Sequence, residues 1–430
     1  MKTMSGWLLF AGLSFCVFAL SLTGYALADK PELQVLYNFT SGSDGYAPVS
    51  TLVVDKAGNL YGTTFLGGGS SIICPSGCGT VFKLSAPSSR DGAWKETVLY
   101  RFTGGSDGSG PYAGLVFDKV GNLYGTAVGG GTVTCSNGAN GCGVVFELSP
   151  PAAPGGAWTE TVLHTFSGSD GSNPRARLTF DQAGNLYGTA WSGGGRSGCG
   201  SAGCGVVFEL MAPAAQGGAW TYSVLHSFSQ NGSDGFLPES DVIFDQTGNL
   251  YGTTTVGGTG NAGGTVFELE TPTWTETILY TFPIAKTGNS GPAAGVIFDQ
   301  AGNLYGTTEG GGTSDEGTVF ELTPSGGAWT ESVLFNGAAP ASGFRGDLIF
   351  DQSNLYGTAA GSRIAGALFR LQDQAGTWKE AEFDLFGAPG PSGSGAGLAF
   401  GKFGALYGTA GGGTSLNCRG GCGTVFGVIP

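Results

Sequence analysis

Four short apolar runs recur along the chain in a fixed order. Each unit reads as an apolar run ending in Asp, a tight turn, Asn-Leu-Tyr-Gly-Thr, a glycine-rich loop, Gly-Thr-Val-Phe-x-Leu, a second turn, then Trp-x-x-x-Val-Leu-x-x-Phe. In the second unit the runs cover residues 115–118, 122–127, 143–148 and 158–166. They are short, rich in β-branched and aromatic residues, and bounded by Gly, Asn, Asp, Pro and Ser, which predicts the strands of a meander. No stretch of similar length carries an apolar period of 3.6, so helices are expected to be few.

Leu-Tyr-Gly-Thr occurs seven times, with its tyrosine at Tyr61, Tyr124, Tyr187, Tyr251, Tyr305, Tyr356 and Tyr407. The spacing of 51 to 64 residues accommodates four strands per unit. Tandem four-stranded sheets solve their edge problem by packing radially, which predicts an all-β, seven-bladed β-propeller of antiparallel blades. The termini supply a rule for closure. The last unit stops after its third run, at residues 423–428, while an orphan run of the fourth type, Val35-Leu36-Tyr37-Asn38-Phe39, stands near the start. The N-terminal strand is therefore expected to complete the seventh blade. An open solenoid would call for polar caps instead.

Composition agrees with a folded, turn-rich β protein. Of the 430 residues 83 are glycine, yet hydrophobic residues make up 40%, too many for a disordered chain. Residues 1–28 stand apart: Lys2, an apolar stretch over 7–23, then Ala26-Leu27-Ala28. This is the pattern of a secretory signal cut before Asp29, with an uncleaved anchor as the rival, and residues 29–430 form the propeller. Beyond it no apolar stretch approaches the roughly 18 residues of a spanning helix. The formal net charge of −14, on a chain only 12% charged, argues against nucleic acid as a partner. The chain is expected to act as a monomer.

The recurring Asp-x-x-Gly-Asn-Leu-Tyr-Gly-Thr core resembles that of the choice-of-anchor tandem repeat GloVer proteins, over nearly all of residues 34–428. It is more distantly similar to the NHL and gluconolactonase-type propellers. The GloVer resemblance implies an exported repeat protein and no established activity. Such proteins carry varied C-terminal anchors, whereas this chain stops at Val428-Ile429-Pro430, so a secreted or periplasmic protein is expected.

Seven-fold recurrence separates scaffold from site, because a residue that every blade carries is most simply explained by the blade. Asp55, Asp118, Asp181, Asp245, Asp299 and Asp351 open the first turn of six units, where a carboxylate accepts backbone N–H groups. Blade seven has Gly401 there. The aspartates of the Ser-Asp-Gly loops, Asp44, Asp107, Asp170 and Asp234, suit plain Asp-Gly turns, with weak Ca²⁺ ligation as the alternative. No other cofactor is called for. His164 and His226 fill the outer-strand slot held by Tyr37, Tyr100 and Tyr280, which makes packing their expected role. Six tryptophans, Trp94, Trp158, Trp220, Trp274, Trp329 and Trp378, begin outer strands and are expected to cover the seams between blades. The cysteines after the signal form four local pairs, Cys74/Cys78, Cys135/Cys142, Cys199/Cys204 and Cys418/Cys422, read as disulfides in an exported protein. Thiolate metal binding would need pairs from adjacent blades to converge.

Symmetry breaks on one face, called the top, which carries the loop between second and third strands and the crossover into the next blade. The position just before the inner strand reads Thr51, Gly114, Arg177, Asp241, Gly295, Asp347 and Gly397. Two residues earlier stand Val49, Tyr112, Arg175, Glu239, Ala293, Arg345 and Gly395, and a third column contributes Phe65, Trp191 and Glu309. Arg175, Arg177, Trp191, Glu239, Asp241, Glu309, Arg345 and Asp347 are thus the candidate ligand-binding residues around the channel mouth. The competing reading is that these charges merely pair across the rim. Two functions follow: a non-catalytic binding scaffold for an extracellular glycan, peptide or envelope protein, or a lactonase- or lyase-like enzyme using Asp241, Asp347 and Glu239 as metal ligands or as acid and base. A structural role in a surface layer is a third.

Overall fold

In the computed structural model each repeat folds as one four-stranded antiparallel sheet. The structure describes residues 32–429 apart from 90–91, 136–140, 154, 196–197, 216, 261, 287–290, 339–341, 352–353, 361–365, 375, 386–395, 413–417 and 419–420. Residues 1–28, read from the sequence as a secretory signal, lie outside the described residues. Seven such sheets form the propeller, and no α-helix occurs among the described residues.

Blade two runs outward from the channel through Val116–Phe117, Leu123–Ala127, Val144–Ser149 and Thr159–Thr165. The inner strand is only two residues long, shorter than the apolar run suggests. Its pairing stops at Val116 with Tyr124, because the preceding backbone turns toward the neighbouring blade, where the Ala113 carbonyl accepts the Thr63 hydroxyl at 3.1 Å.

The second strand is buried along its whole length because blades cover both of its faces. Each residue of Leu-Tyr-Gly-Thr has a separate task there. Leu123 is fully enclosed. Gly125 lies under the tip of Phe146, and a Cβ at that position would come within 2.7 Å of the Phe146 ring. The tyrosine takes the next blade's inner-strand phenylalanine edge-on, as in Tyr61 with Phe117 and Tyr124 with Phe180. Beside it packs the next outer strand's tryptophan: Trp220 on Tyr124, Trp274 on Tyr187, Trp378 on Tyr305 and, across the ring closure, Trp94 on Tyr407. The tryptophans therefore cover the seams. Threonine hydroxyls join neighbouring blades: Thr126 donates to Ala176, Thr189 to Ser240, Thr253 to Ala294 and Thr358 to Ala396.

Blade seven consists of Ala399–Phe400, Leu406–Ala410, Thr424–Ile429 and, as outer strand, Glu32–Asn38. Val35 pairs with Phe426 and Tyr37 with Val425, with a bulge at the same place as the Val81/Phe82 irregularity of blade one. The seam from blade seven to blade one has the bonds of the other seams: Thr409 donates to the Ser50 carbonyl at 2.9 Å, and Ala47 N–H to the Cys422 carbonyl at 3.0 Å.

On the top face, crossover loops interlock with the loops of the preceding blade. The N–H groups of Gly110, Asn173 and Leu237 donate to the carbonyls of Cys78, Cys142 and Cys204. Asn173 and Leu237 adopt left-handed φ values of 59° and 60° to do so. Each of these accepting cysteines, and Cys422, is the second member of a disulfide: Cys74–Cys78, Cys135–Cys142, Cys199–Cys204 and Cys418–Cys422 are all formed. The four lie in blades seven, one, two and three, so the bridges stiffen four consecutive seams, including the one that closes the ring.

Candidate functional site

At the mouth of the channel the crossovers bring the symmetry-breaking charges together. Arg177 of blade three reaches Asp241 of blade four through Nε at 3.1 Å and also through Nη2. Two residues out, Arg175 bonds Glu239 at 2.7 Å across the same seam. Farther round, Arg345 of blade six pairs with Glu309 of blade five through a hydrogen bond from Nη2 and an ion-pair contact from Nε, both at 3.1 Å. Three arginines are thereby matched to three carboxylates, each across a seam. Such pairs in partly solvated positions contribute roughly 0–1 kcal/mol each, more where the geometry is bidentate.

Asp347 is the exception. It stands two residues before the blade-six inner strand and accepts the Gly295 N–H of blade five at 3.0 Å. Burial, followed by repulsion from the Asp241 carboxylate, pushes its carboxyl up to about 6, against the opposing pull of Arg177. Asp241 in turn holds the Arg177 guanidinium protonated above its ordinary value. Burial raises Glu309 despite its arginine. Where the column carries Thr51, its hydroxyl accepts the Gly397 N–H at 3.0 Å, a neutral version of the Asp347 contact.

These groups line a narrow cavity of about 90 Å³ that contains seven of the eight candidates, and Tyr112 and Val49 line it too. Trp191 is not among the lining residues. It stands behind Arg175, whose guanidinium lies 4.3 Å from the ring centre and 6.0 Å from that of Tyr112. The tryptophan thus orients an arginine of the rim. Phe65 packs edge-on against Tyr112 and completes an aromatic arc on the blade-one side. A larger groove of about 790 Å³ lies at the opposite edge of the closing seam, between Trp94, Tyr407 and the exposed Phe403. Among the described residues Lys402 is the one charged residue that lines it.

The repeated polar residues are committed to the scaffold. Asp118 accepts the N–H groups of Val120, Gly121 and Asn122, the Asn122 side chain and the Tyr124 hydroxyl. Asn59 and Asn185 carry the same turn onward, taking the N–H of Ala86 and Ala212 at the end of the third strand. In blade six Asp351 still holds Asn354 and Tyr356, while residues 352 and 353 lie outside the described residues.

The aspartates of the Ser-Asp-Gly loops fold back on their own loops. Asp44 takes the Thr40 N–H and hydroxyl, Asp107 those of Thr103, and Asp170 those of Ser167. Each also meets the preceding outer strand, at Tyr37, Tyr100 and His164 respectively. What faces these aspartates from the next blade is not written in any single repeat. Glu96, Glu160 and Glu276, from the outer strands of blades one, two and four, approach Asp44, Asp107 and Asp234. The sequence signal was a glutamate at the second position after the seam tryptophan, shared by most units.

A family model described as the Gloeobacter/Verrucomicrobia repeat matches residues 21–198, 132–297 and 261–430. No curated protein sequence matches. Among solved structures, an ulvan lyase of a polysaccharide lyase family is 12% identical with a TM-score of 0.54, over 91% of this chain and 94% of that one. The extracellular domain of a one-component system from B. thetaiotaomicron is 12% identical with a TM-score of 0.53, over 93% of this chain. The chain spans 41% of the length of that protein. A periplasmic gluconolactonase from Pseudomonas aeruginosa, 14% identical, reaches a TM-score of 0.47 over 79% of this chain and 87% of that one. At 12% identity the first two likenesses show the fold alone.

Proposed function

This chain belongs to the Gloeobacter/Verrucomicrobia repeat family, and from that premise we propose that it is an exported, non-catalytic binding scaffold whose top face holds a glycan or a protein of the cell envelope. The observation that carries the reading is the state of the channel mouth. Its arginines are already matched to carboxylates from neighbouring blades, and the cavity of about 90 Å³ falls well short of the roughly 300–1,000 Å³ of small-molecule sites. A ligand therefore lies across the rim. Arg345, with half its side chain exposed, and the Tyr112–Phe65 arc present the chemistry that meets a sugar ring or a polar protein surface. Four disulfides suit the oxidising compartment that an exported protein reaches.

The test is a glycan array together with pull-down from envelope extracts, using the mature chain. Arg345→Ala and Tyr112→Ala are expected to weaken the captured ligand at least tenfold, about 1.4 kcal/mol each. Trp191→Ala is expected to weaken it less, by freeing Arg175. Wild-type protein that captures nothing, or variants that bind as well as wild type, would remove the reading.

Asp347 favours a second one. A carboxyl without an arginine of its own, titrating near 6 in a narrow mouth, suits proton transfer in a lactonase- or lyase-like reaction. Turnover of sugar lactones or uronate-containing polysaccharides by wild type, abolished in Asp347→Asn, is the outcome that would put this reading first.

A further inference from the structure

We propose that His226, Asp234 and Glu276 bind one divalent transition-metal ion, with Zn²⁺ the best match, at the outer seam between blades three and four. The argument comes from comparing the same place around the ring. At the seam after blade seven the Tyr37 hydroxyl donates to Asp44 at 3.2 Å, and after blade one Tyr100 donates to Asp107 at 3.1 Å. After blade two, His164 Nε2 lies 3.1 Å from Asp170, and the position that Glu96 and Glu160 fill elsewhere is taken by Tyr222, stacked on the imidazole at 3.8 Å. In these three seams the aspartate has a direct partner on the outer strand.

After blade three the pattern changes. His226 replaces the tyrosine while the glutamate, Glu276, is kept. The imidazole Nε2 stands 3.9 Å from Asp234 Oδ2 and 3.7 Å from Glu276 Oε2, beyond hydrogen-bond reach of either. One ligand atom from each residue lies within 4.8 Å of those of the other two. His226 Nε2, Asp234 Oδ1 and Glu276 Oε1 are all buried and unpartnered. Asp234 is only 7% exposed, and its second oxygen is held by the Ser229 N–H and hydroxyl at 2.8 and 3.1 Å, so the carboxylate is pre-oriented.

An orphaned buried atom on each of these three residues is costly, since a buried polar group without a partner loses its hydration and gains nothing in return. An imidazole offers one proton and cannot serve two carboxylates. A divalent ion bound through one atom of each residue offsets both negative charges. Zn–N and Zn–O distances of about 2.0–2.2 Å require only small side-chain movements from the observed spacing. The imidazole selects zinc and its neighbours over calcium and magnesium, which prefer oxygen alone. The ligands come from two adjacent outer strands, Thr221–Ser227 and Thr275–Thr281, and from the loop between blades, so the ion would tie one blade to the next.

The experiment is calorimetric titration and thermal denaturation of the untagged mature chain, freed of metal by chelator and then given Zn²⁺, Co²⁺ or Ca²⁺. The expected result is one Zn²⁺ or Co²⁺ per chain with an upward shift of Tm, and no comparable shift with Ca²⁺. His226→Tyr recreates the Tyr100–Asp107–Glu160 arrangement already present at another seam, so it is expected to fold without metal and to lose at least tenfold in affinity. Glu276→Gln is expected to lose as much, while His164→Tyr keeps wild-type binding. Absence of stoichiometric Zn²⁺ or Co²⁺ binding by wild type overturns the proposal, as does binding that survives in both His226→Tyr and Glu276→Gln.

Discussion

Asp118 shows what a single carboxylate does in this chain, since three backbone N–H groups, one amide and one phenol converge on it. Asp118→Ala leaves those donors to water or to nothing, and is expected to cost about 2 kcal/mol in chemical denaturation. Blade seven reverses the sign of the argument. There Gly401 takes the aspartate's place, and the Tyr407 ring has moved in so far that a Cβ would lie 2.2 Å from it. Gly401→Asp, although it restores the residue found in the other six blades, is therefore expected to destabilise by about 1–3 kcal/mol through overpacking. A gain in stability would show that the ring swings away at little cost. The turn aspartates were legible in the sequence because their chemistry is local. The partners of Trp191 were not, because a column of residues before the inner strands does not say that Arg175 will lie between the indole and the channel.

At the scale of the strand, the outer edge of the ring stores a dependence on pH. Glu96 faces Asp44, with Tyr37 beside that aspartate and Arg101 on its own strand, and Glu160 faces Asp107 beside Tyr100. Burial first, and the facing aspartate second, push both glutamates up to about 7 from an ordinary 4.5. A carboxyl with a raised folded-state pKa binds its proton more tightly in the native protein. Its contribution is complete below pH 4.5 and is lost as the pH rises through 7. Metal-free protein is thus expected to melt at a lower temperature at pH 8 than at pH 5.5, and Glu160→Gln is expected to flatten that slope. A melting temperature that is flat over this range in wild type would contradict the assignment. The strands themselves were legible from their repetition, and the mouth residues from their place before each inner strand. The Asp–Glu contacts were not, because a bulge in the outer strand decides which side chains turn toward the neighbouring blade, and alternation alone does not reveal a bulge. The disulfides belong to this scale too. Their short loops stabilise by about 2 kcal/mol each in the chain-entropy model. Reduction is therefore expected to lower stability while leaving the sheets in place, as circular dichroism would report.

For the whole molecule, ring closure was legible because the missing strand and the surplus strand were of the same type. The pairing of Glu32–Asn38 with Thr424–Ile429 carries it out. Removing residues 29–39 exposes Thr424–Ile429 as a bare sheet edge, and the truncated chain is expected to self-associate in sedimentation analysis. A peptide of the deleted residues added in trans is expected to return it to a single species. A truncated chain that stays monodisperse and melts as wild type does would show that the clasp is dispensable. The clasp also imposes an order in time. The strand that leaves the ribosome first is the one whose partner leaves last, so a nascent chain has to carry an unsatisfied apolar ribbon through the making of six complete blades. The choice of partner for that ribbon is thereby postponed until the last strand of the ring has been made.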